Sequence, residues 1–438
     1  MLLENIPAQI ALSVLSNDVE LKNGLIILMG TFFAYIVLYK KLILSFIDPL
    51  LMMVAYAAFS AFIPLYMYSN DMMYSSEYIV QFLFTEIFLC IGIYTSKLKF
   101  LNVYSERDDK YRDCNVKRWI IIISVLYILS FIIYNASVDE LPILVFISGT
   151  GSRLEANQHN VIAYVANIIM QSLMLPLAIL SFRIYLLNKR IIHMKYIVVN
   201  LIAVMVGMIL GGSKIALVGM LFYIFFAISY RQDEIDKKRL INLRRSSVIL
   251  FCIIIFMAVF VFVFTSGEDY MFLGFMYRIL TSGDIFLLYS YDFFQWIDIE
   301  DFFLKWLFNP LLATLKLISW SDAPMSIGYQ TELLMHPDSP LGGPNSRHNV
   351  VGYLYFGFYG SIIYSFIMGY VIGLVRKKWL LLMNSNNILS YILYSYIYLT
   401  ILGLPQGADS VPLLIFTFLV IYKLVEIIYV AWERIDKV

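Results

Sequence analysis

Long apolar runs recur along this chain, and they limit what it can fold into more than any other feature. A helix needs about 20 mostly apolar residues to cross a hydrocarbon core of ~30 Å. Inside lipid only helices and closed barrels satisfy their own backbone. Runs long enough for helical spans cover 23–39, 49–68, 77–96, 118–136, 161–185, 196–212, 214–230, 247–265, 350–375, 387–404 and 411–430. The stretch 196–230 divides at Gly211-Gly212-Ser213, a turn signal between two apolar runs. Composition agrees: 61% of the 438 residues are hydrophobic and 14% charged, against roughly 45–50% and 25% in soluble domains. Water-soluble, disordered, collagenous and coiled-coil readings are excluded. The expected fold is an all-α polytopic membrane protein of about eleven transmembrane helices. It reads as one integral domain over 1–438.

The three cysteines, Cys90, Cys114 and Cys252, are too few and too scattered for a disulfide framework or a zinc site. Inert packing is their expected role. The first twenty residues hold Glu4, Asp18 and Glu20 but no Lys or Arg. No cleavable signal peptide is therefore expected, and the first apolar span serves as the targeting signal.

Orientation follows the lysines and arginines. With the amino terminus outside and the carboxyl terminus inside, the inner connections hold 25 of the 32 basic residues and 11 of the 31 acidic ones. The outer segments hold 7 basic and 19 acidic residues, and Glu86 lies within a span. A net charge of +1 thus conceals a basic inner face and an acidic outer one. Two outer segments stand out: a smaller loop at 137–160, and a large one at 266–348 between the eighth and ninth spans. The large loop carries two aromatic-rich stretches, 271–294 and 301–318, which read as helices lying against the outer interface.

On an acidic outer face the few cations are conspicuous. Lys22, Lys305 and Lys316 read as interfacial snorkelling residues. Arg153 follows the turn GTGS, Lys214 closes GGSK at an outer turn, Arg278 lies in an apolar outer stretch, and Arg347 stands in GGPNSRHN just before the ninth span. Four cations from four outer segments can converge on one anionic group, with arginine giving bidentate contacts to phosphate. His348, flanked by Arg347 and Asn349, is the leading candidate for a general base, and His159 is second. His193 and His336 read as solvated.

Glu86 is ionisable within a span. It is either functional or paired with a buried polar neighbour. Asp298, Glu300 and Asp301 form an acidic cluster that reads as solvated loop. Tyr289–Trp296 is either a stacking platform for sugar rings or packing against headgroups. Lys423 and Glu426 read as a local pair. There is no phosphate-binding loop, and neither nucleic acid, metal nor cofactor is expected. Because the polar candidates lie outside, the reading favours a substrate activated within the membrane.

These features resemble the O-antigen (oligosaccharide repeat-unit) polymerases of bacteria. The resemblance rests on the outer segment with Arg153, the GGSK turn, the long outer loop, and GGPNSRHNVVGYLYFGFYGSIIYSFIMG leading into the ninth span. It implies a membrane glycosyltransferase (GT-C-like) plan in the bacterial cytoplasmic (inner) membrane. The implied activity is the joining of undecaprenyl-diphosphate-linked oligosaccharides, as both donor and acceptor, into surface polysaccharide. Membrane lipid, a chain-length regulator and a flippase are the implied partners. In the related ligases an arginine at the GSR turn, another early in the long loop and a histidine late in it form the functional set. Lys214, Arg278 and His348 stand at similar places, and Arg153 and Arg347 match the arginines of the two outer loops. Lys214 departs from the usual arginine, keeping the charge and losing the fork. The rival readings are a ligase that moves finished glycan and a flippase or secondary transporter.

Overall fold

In the computed structural model the apolar runs among the described residues are helices. The structure describes residues 6–96, 113–138, 161–187, 199–200, 202–207, 216–232, 281–290, 293–299, 302–319, 325–337, 343–385 and 387–435, with single positions 237, 241 and 245. Among them seven helices are long and apolar enough to cross a membrane: Val19–Tyr39, Pro49–Ser69, Ser76–Thr95, Arg118–Ser137, Ile162–Ile184, His348–Leu382 and Ser410–Ile435. Two shorter apolar helices, Gly219–Ser229 and Ile388–Ile401, accompany them. No strand occurs among the described residues. The chain is a polytopic α-helical membrane protein. The expected span 247–265 lies outside the described residues, as does most of 196–212.

Two compact units are built from interleaved stretches. The first comprises 1–100, 259–375 and 399–413. It contains α1 (Ile6–Ser16), α2 (Asp18–Tyr39), α3 (Pro49–Ser60), α4 (Phe62–Ser69) and α5 (Ser76–Thr95). Side-chain caps start three of these helices, with Asn17, Asp48 and Ser75 accepting from the backbone N–H two residues on. α3 and α4 form one span interrupted at Ala61. Pro64 has no N–H to give the Ser60 carbonyl, and Gly283 packs closely against that oxygen.

Gly283 belongs to a 3₁₀ segment, Thr281–Tyr289, whose residues Ile285 to Tyr289 are almost completely buried. The part of 271–294 that is described therefore does not lie on an interface. It is core, held by the Phe82–Phe286 edge contact and the Tyr78–Tyr289 stack. The second stretch, 301–318, is helical over part of its length. It forms a short helix, Phe303–Thr314, with Trp306, Asn309 and Ala313 buried and Leu304 and Phe308 exposed.

The second unit comprises 101–258, 376–398 and 414–438. Asp113–Ser137 and Val161–Leu187 pack together as a helix pair. Trp119 stacks on Tyr429, Tyr396 stacks on Phe418, and Arg183 donates to the Tyr230 carbonyl at 2.8 Å. Lys423 and Glu426 form the expected pair at 2.7 Å on an exposed face.

The ninth expected span differs most from expectation. The long helix His348–Leu382 breaks at Gly357, where φ is 64° and ψ is −166°. Its two halves are named α6 (348–356) and α7 (358–382). A Cβ on Gly352 would stand 3.0 Å from the Ser361 Cα, whereas nine residues of straight helix span about 13 Å. The halves thus fold back as a hairpin. Asn349 meets Thr85 and Tyr353 meets Tyr78, so α6 runs against the direction of α5. Ser361 meets Gln81, Gly369 meets Leu89 and Gly373 meets Ile93, so α7 runs with it. Gly92 of α5, with Gly369 and Gly373 of α7, allows near backbone contact along this seam, and Gly369-Gly373 has the spacing favoured for tight membrane-helix packing.

A leucine at Gly369 would drive its side chain into the Leu89 carbonyl. Gly369→Leu is expected to abolish monodisperse protein on gel filtration in detergent. Gly357→Ala has open space around it, but φ 64° with ψ −166° is a conformation essentially reserved for glycine, so it should cost about 1–3 kcal/mol in thermal unfolding. Gly30→Ala, also in open space but inside α2, should raise the melting temperature slightly, since alanine gains about 0.5–1 kcal/mol over glycine within a helix.

Candidate functional site

The hairpin carries three consecutive polar side chains into the interior. Arg347, His348 and Asn349 retain 2%, 1% and 0% of their exposure. They meet Glu86, which lies about 16 Å along α5 from its capped start, near the middle of a ~30 Å core. One oxygen, Glu86 Oε1, faces all three. Arg347 Nη2 is 3.5 Å away, His348 Nε2 3.8 Å and Asn349 Nδ2 3.2 Å. Asn349 Nδ2 also donates to Thr85 Oγ1 at 2.8 Å. The Tyr35 hydroxyl of α2 lies beside the carboxylate as well.

Gln81, one turn before Thr85, fixes the hairpin from beneath. Its Nε2 donates to the Asn349 carbonyl and to Ser361 Oγ, both at 3.0 Å, which ties the two arms together. Its Oε1 accepts from the Tyr289 hydroxyl at 2.8 Å. Burial pushes the Tyr289 phenol well above its ordinary range, so it remains a neutral donor.

Irregular backbone at this depth needs protein partners. Arg347 N–H donates to the Gln406 carbonyl at 3.2 Å and His348 N–H to the Pro405 carbonyl at 3.0 Å. Those carbonyls belong to the turn after Ile388–Ile401, a helix that stops short of the expected 404 as Gly403 and Pro405 arrive. Arg347 holds a left-handed φ of 41°, uncommon for a residue with a side chain. Its guanidinium lies over the rings of Tyr56, at 5.6 Å, and Phe286, at 5.9 Å.

The cluster is polar but incompletely satisfied. Arg347 Nε and Nη1, both ring nitrogens of His348, Asn349 Oδ1 and Glu86 Oε2 are buried without hydrogen-bond partners. Each such atom costs about 1–3 kcal/mol, and native proteins keep few of them. One arginine and one carboxylate offset each other in charge, while the unpartnered nitrogens leave capacity to hold an anionic group or exchange a proton.

Expectation and structure diverge here. The charge pattern puts Arg347 and His348 at an outer rim with Glu86 alone at depth, but the fold-back at Gly357 carries both down to Glu86. Glu86 is paired with a buried polar neighbour, as one of its two readings expects. Arg153, His159, Lys214 and Arg278 lie outside the described residues, as do Glu300 and Asp301. Asp298 exchanges backbone hydrogen bonds with the Gln330 side chain. Tyr289 and Phe294 are buried and unavailable as sugar platforms, whereas Trp296 is 62% exposed. Gln81, Tyr289, Tyr35 and the 405–406 carbonyls were not foreseen. Gln81 offered a signal as an uncharged polar residue within an apolar span. No family model, no curated protein and no solved structure matches this chain.

Removing one partner of a buried ion pair leaves an uncompensated charge, at a cost of roughly 3–5 kcal/mol. Glu86→Ala should therefore lower the melting temperature of the purified protein markedly. Glu86→Leu combined with Arg347→Met should recover much of the loss, and the non-additivity of the cycle measures the coupling.

Proposed function

We propose that this chain is a glycan polymerase of the bacterial cytoplasmic membrane. It joins undecaprenyl-diphosphate-linked oligosaccharide repeat units at the outer face, on an eleven-span, GT-C-like plan with the amino terminus outside and the carboxyl terminus inside. The observation that carries the reading is the burial of Arg347 and His348 side by side, with unpartnered nitrogens, in a protein-lined interior. A lipid-linked diphosphate needs a cation for its charge, and an acceptor hydroxyl needs a base. Both groups stand here on adjacent residues.

In the proposed reaction the acceptor sugar's hydroxyl oxygen attacks the anomeric carbon of the donor. The bond from that carbon to the diphosphate oxygen breaks as the new glycosidic bond forms. The hydroxyl proton passes to the neutral His348 imidazole. Undecaprenyl diphosphate departs with its developing charge held by Arg347, an electrostatic contribution that needs no proton transfer. The resemblance adds Arg153, Lys214 and Arg278 to the diphosphate contacts. Donor and acceptor are both lipid-linked, and a flippase and a chain-length regulator are the proposed neighbours in the pathway. A ligase on the same plan would differ in its acceptor alone.

A second reading has its own observation. A short half-helix that begins at membrane depth and a deep Glu86–Arg347 pair are features of transporters, which favours a flippase of the same lipid-linked substrate over an unrelated enzyme.

The test is reconstitution of the protein in liposomes with a lipid-linked repeat unit, read as a ladder on a gel. A ladder with wild type, reduced about 100-fold or more in rate by His348→Gln and strongly by Arg347→Lys, supports polymerisation. Movement of the substrate between leaflets without any new glycosidic bond overturns it in favour of the flippase. Transfer to a different acceptor without lengthening makes the protein a ligase.

A further inference from the structure

We infer that Glu86 is a positioning residue for this chemistry: its carboxylate orients His348 and supports the imidazolium that forms when His348 accepts the acceptor's proton. The inference rests on the glycan-transfer reading. It begins from the geometry of one oxygen. Glu86 Oε1 lies 3.8 Å from His348 Nε2 while also receiving Asn349 Nδ2 at 3.2 Å and Arg347 Nη2 at 3.5 Å.

The carboxylate is fixed from both sides. Asn349, which donates to it, also donates to Thr85 Oγ1 and is held through its carbonyl by Gln81. Tyr35 flanks it from α2. Among the described residues the charged or titratable groups around the imidazole are Arg347 on its own segment, Glu86 on α5 and, beyond the carboxylate, Tyr35.

Charge accounting assigns the role. With His348 neutral, the carboxylate of Glu86 and the guanidinium of Arg347 balance. When the hydroxyl proton moves to the imidazole, the cluster gains one positive charge in a buried site. Glu86 is the anion facing that new charge, and its presence lowers the cost of forming the imidazolium. The same carboxylate engages only Nη2 of Arg347, leaving Nε and Nη1 unpartnered. Positioning of the base and presentation of the guanidinium are then two effects of one side chain. Glu86 does not itself touch the reacting atoms in this account.

The experiment uses the full-length protein in liposomes with the lipid-linked repeat unit. Glu86→Gln, which keeps an oxygen for Asn349 and removes the charge, should lower kcat about 10-fold or more with KM within about threefold. Glu86→Asp should restore part of the rate. Independently of activity, ¹⁵N-histidine spectra of the purified protein, with His348 assigned by comparison with His348→Gln, should show altered His348 ring signals in Glu86→Gln. Unchanged ring signals overturn the inference whatever the rate does, and so does an unchanged kcat. Should Glu86→Gln fail to fold, Glu86→Asp decides by the same two readouts. If wild type forms no glycosidic bond, the glycan-transfer reading has failed, and the ring signals still report whether Glu86 governs His348.

Discussion

A carboxylate buried in the middle of an apolar helix is an expensive object, and the first unit is arranged around making it tolerable. Glu86 would not remain ionised in hydrocarbon without a partner. The chain supplies that partner from a segment more than 250 residues away, through Arg347. Bringing an arginine to that depth requires its backbone to go there too. That requirement accounts for the hairpin, for the left-handed turn at Gly357 and for the carbonyls of Pro405 and Gln406 that receive the descending N–H groups. Gln81 then ties the hairpin to the helix bearing the carboxylate. These features support one another.

The arrangement also explains why the surrounding packing is so aromatic. Phe286 and Tyr56 lie against the guanidinium, and Tyr78, Tyr289, Phe294 and Tyr353 form a connected cluster beside the upper part of the hairpin. Flat rings fill space close to a charge without introducing competing acceptors, and their faces attract the cation. Tyr289 donates its hydroxyl to Gln81 Oε1 and leaves the Gln81 amide N–H groups free to hold the hairpin. The polar interior is therefore bounded by side chains that hold it in place while adding little polarity of their own.

Much of the helical frame was legible in the sequence because run length and hydropathy act locally. A stretch such as 77–96 has one stable state in lipid, and it is a helix. Glu86 was legible for the same reason, as an ionisable residue with no local partner. The hairpin was not. Phe356-Gly357-Phe358 reads as an ordinary glycine within a span, which membrane helices tolerate, and only the packing of Gly352 against Ser361 reveals the turn. The depth of Arg347 and His348 is not legible in the sequence, because charge counting assigns a residue to a side of the membrane and not to a level within it. The stretch 271–294 reads as interfacial although its described part is core, because its composition suits an interface and a core equally well. What decided between them was the glycine that lets it approach the Ser60 carbonyl, a contact no local pattern encodes.

The hairpin has a metric consequence. Its long arm is locked to α5 by glycines that permit a single register, so the height of the turn at Gly357 is set by that seam. Its short arm then hangs from the turn by nine residues, on the order of 13 Å of helix. Both ends of this plumb line are gauged against the same helix, which makes the number of residues between Arg347 and Gly357 the quantity that decides whether guanidinium and carboxylate meet. Side chains along the short arm can vary while they continue to pack, but its length cannot change by even one residue without turning Arg347 away by about 100°.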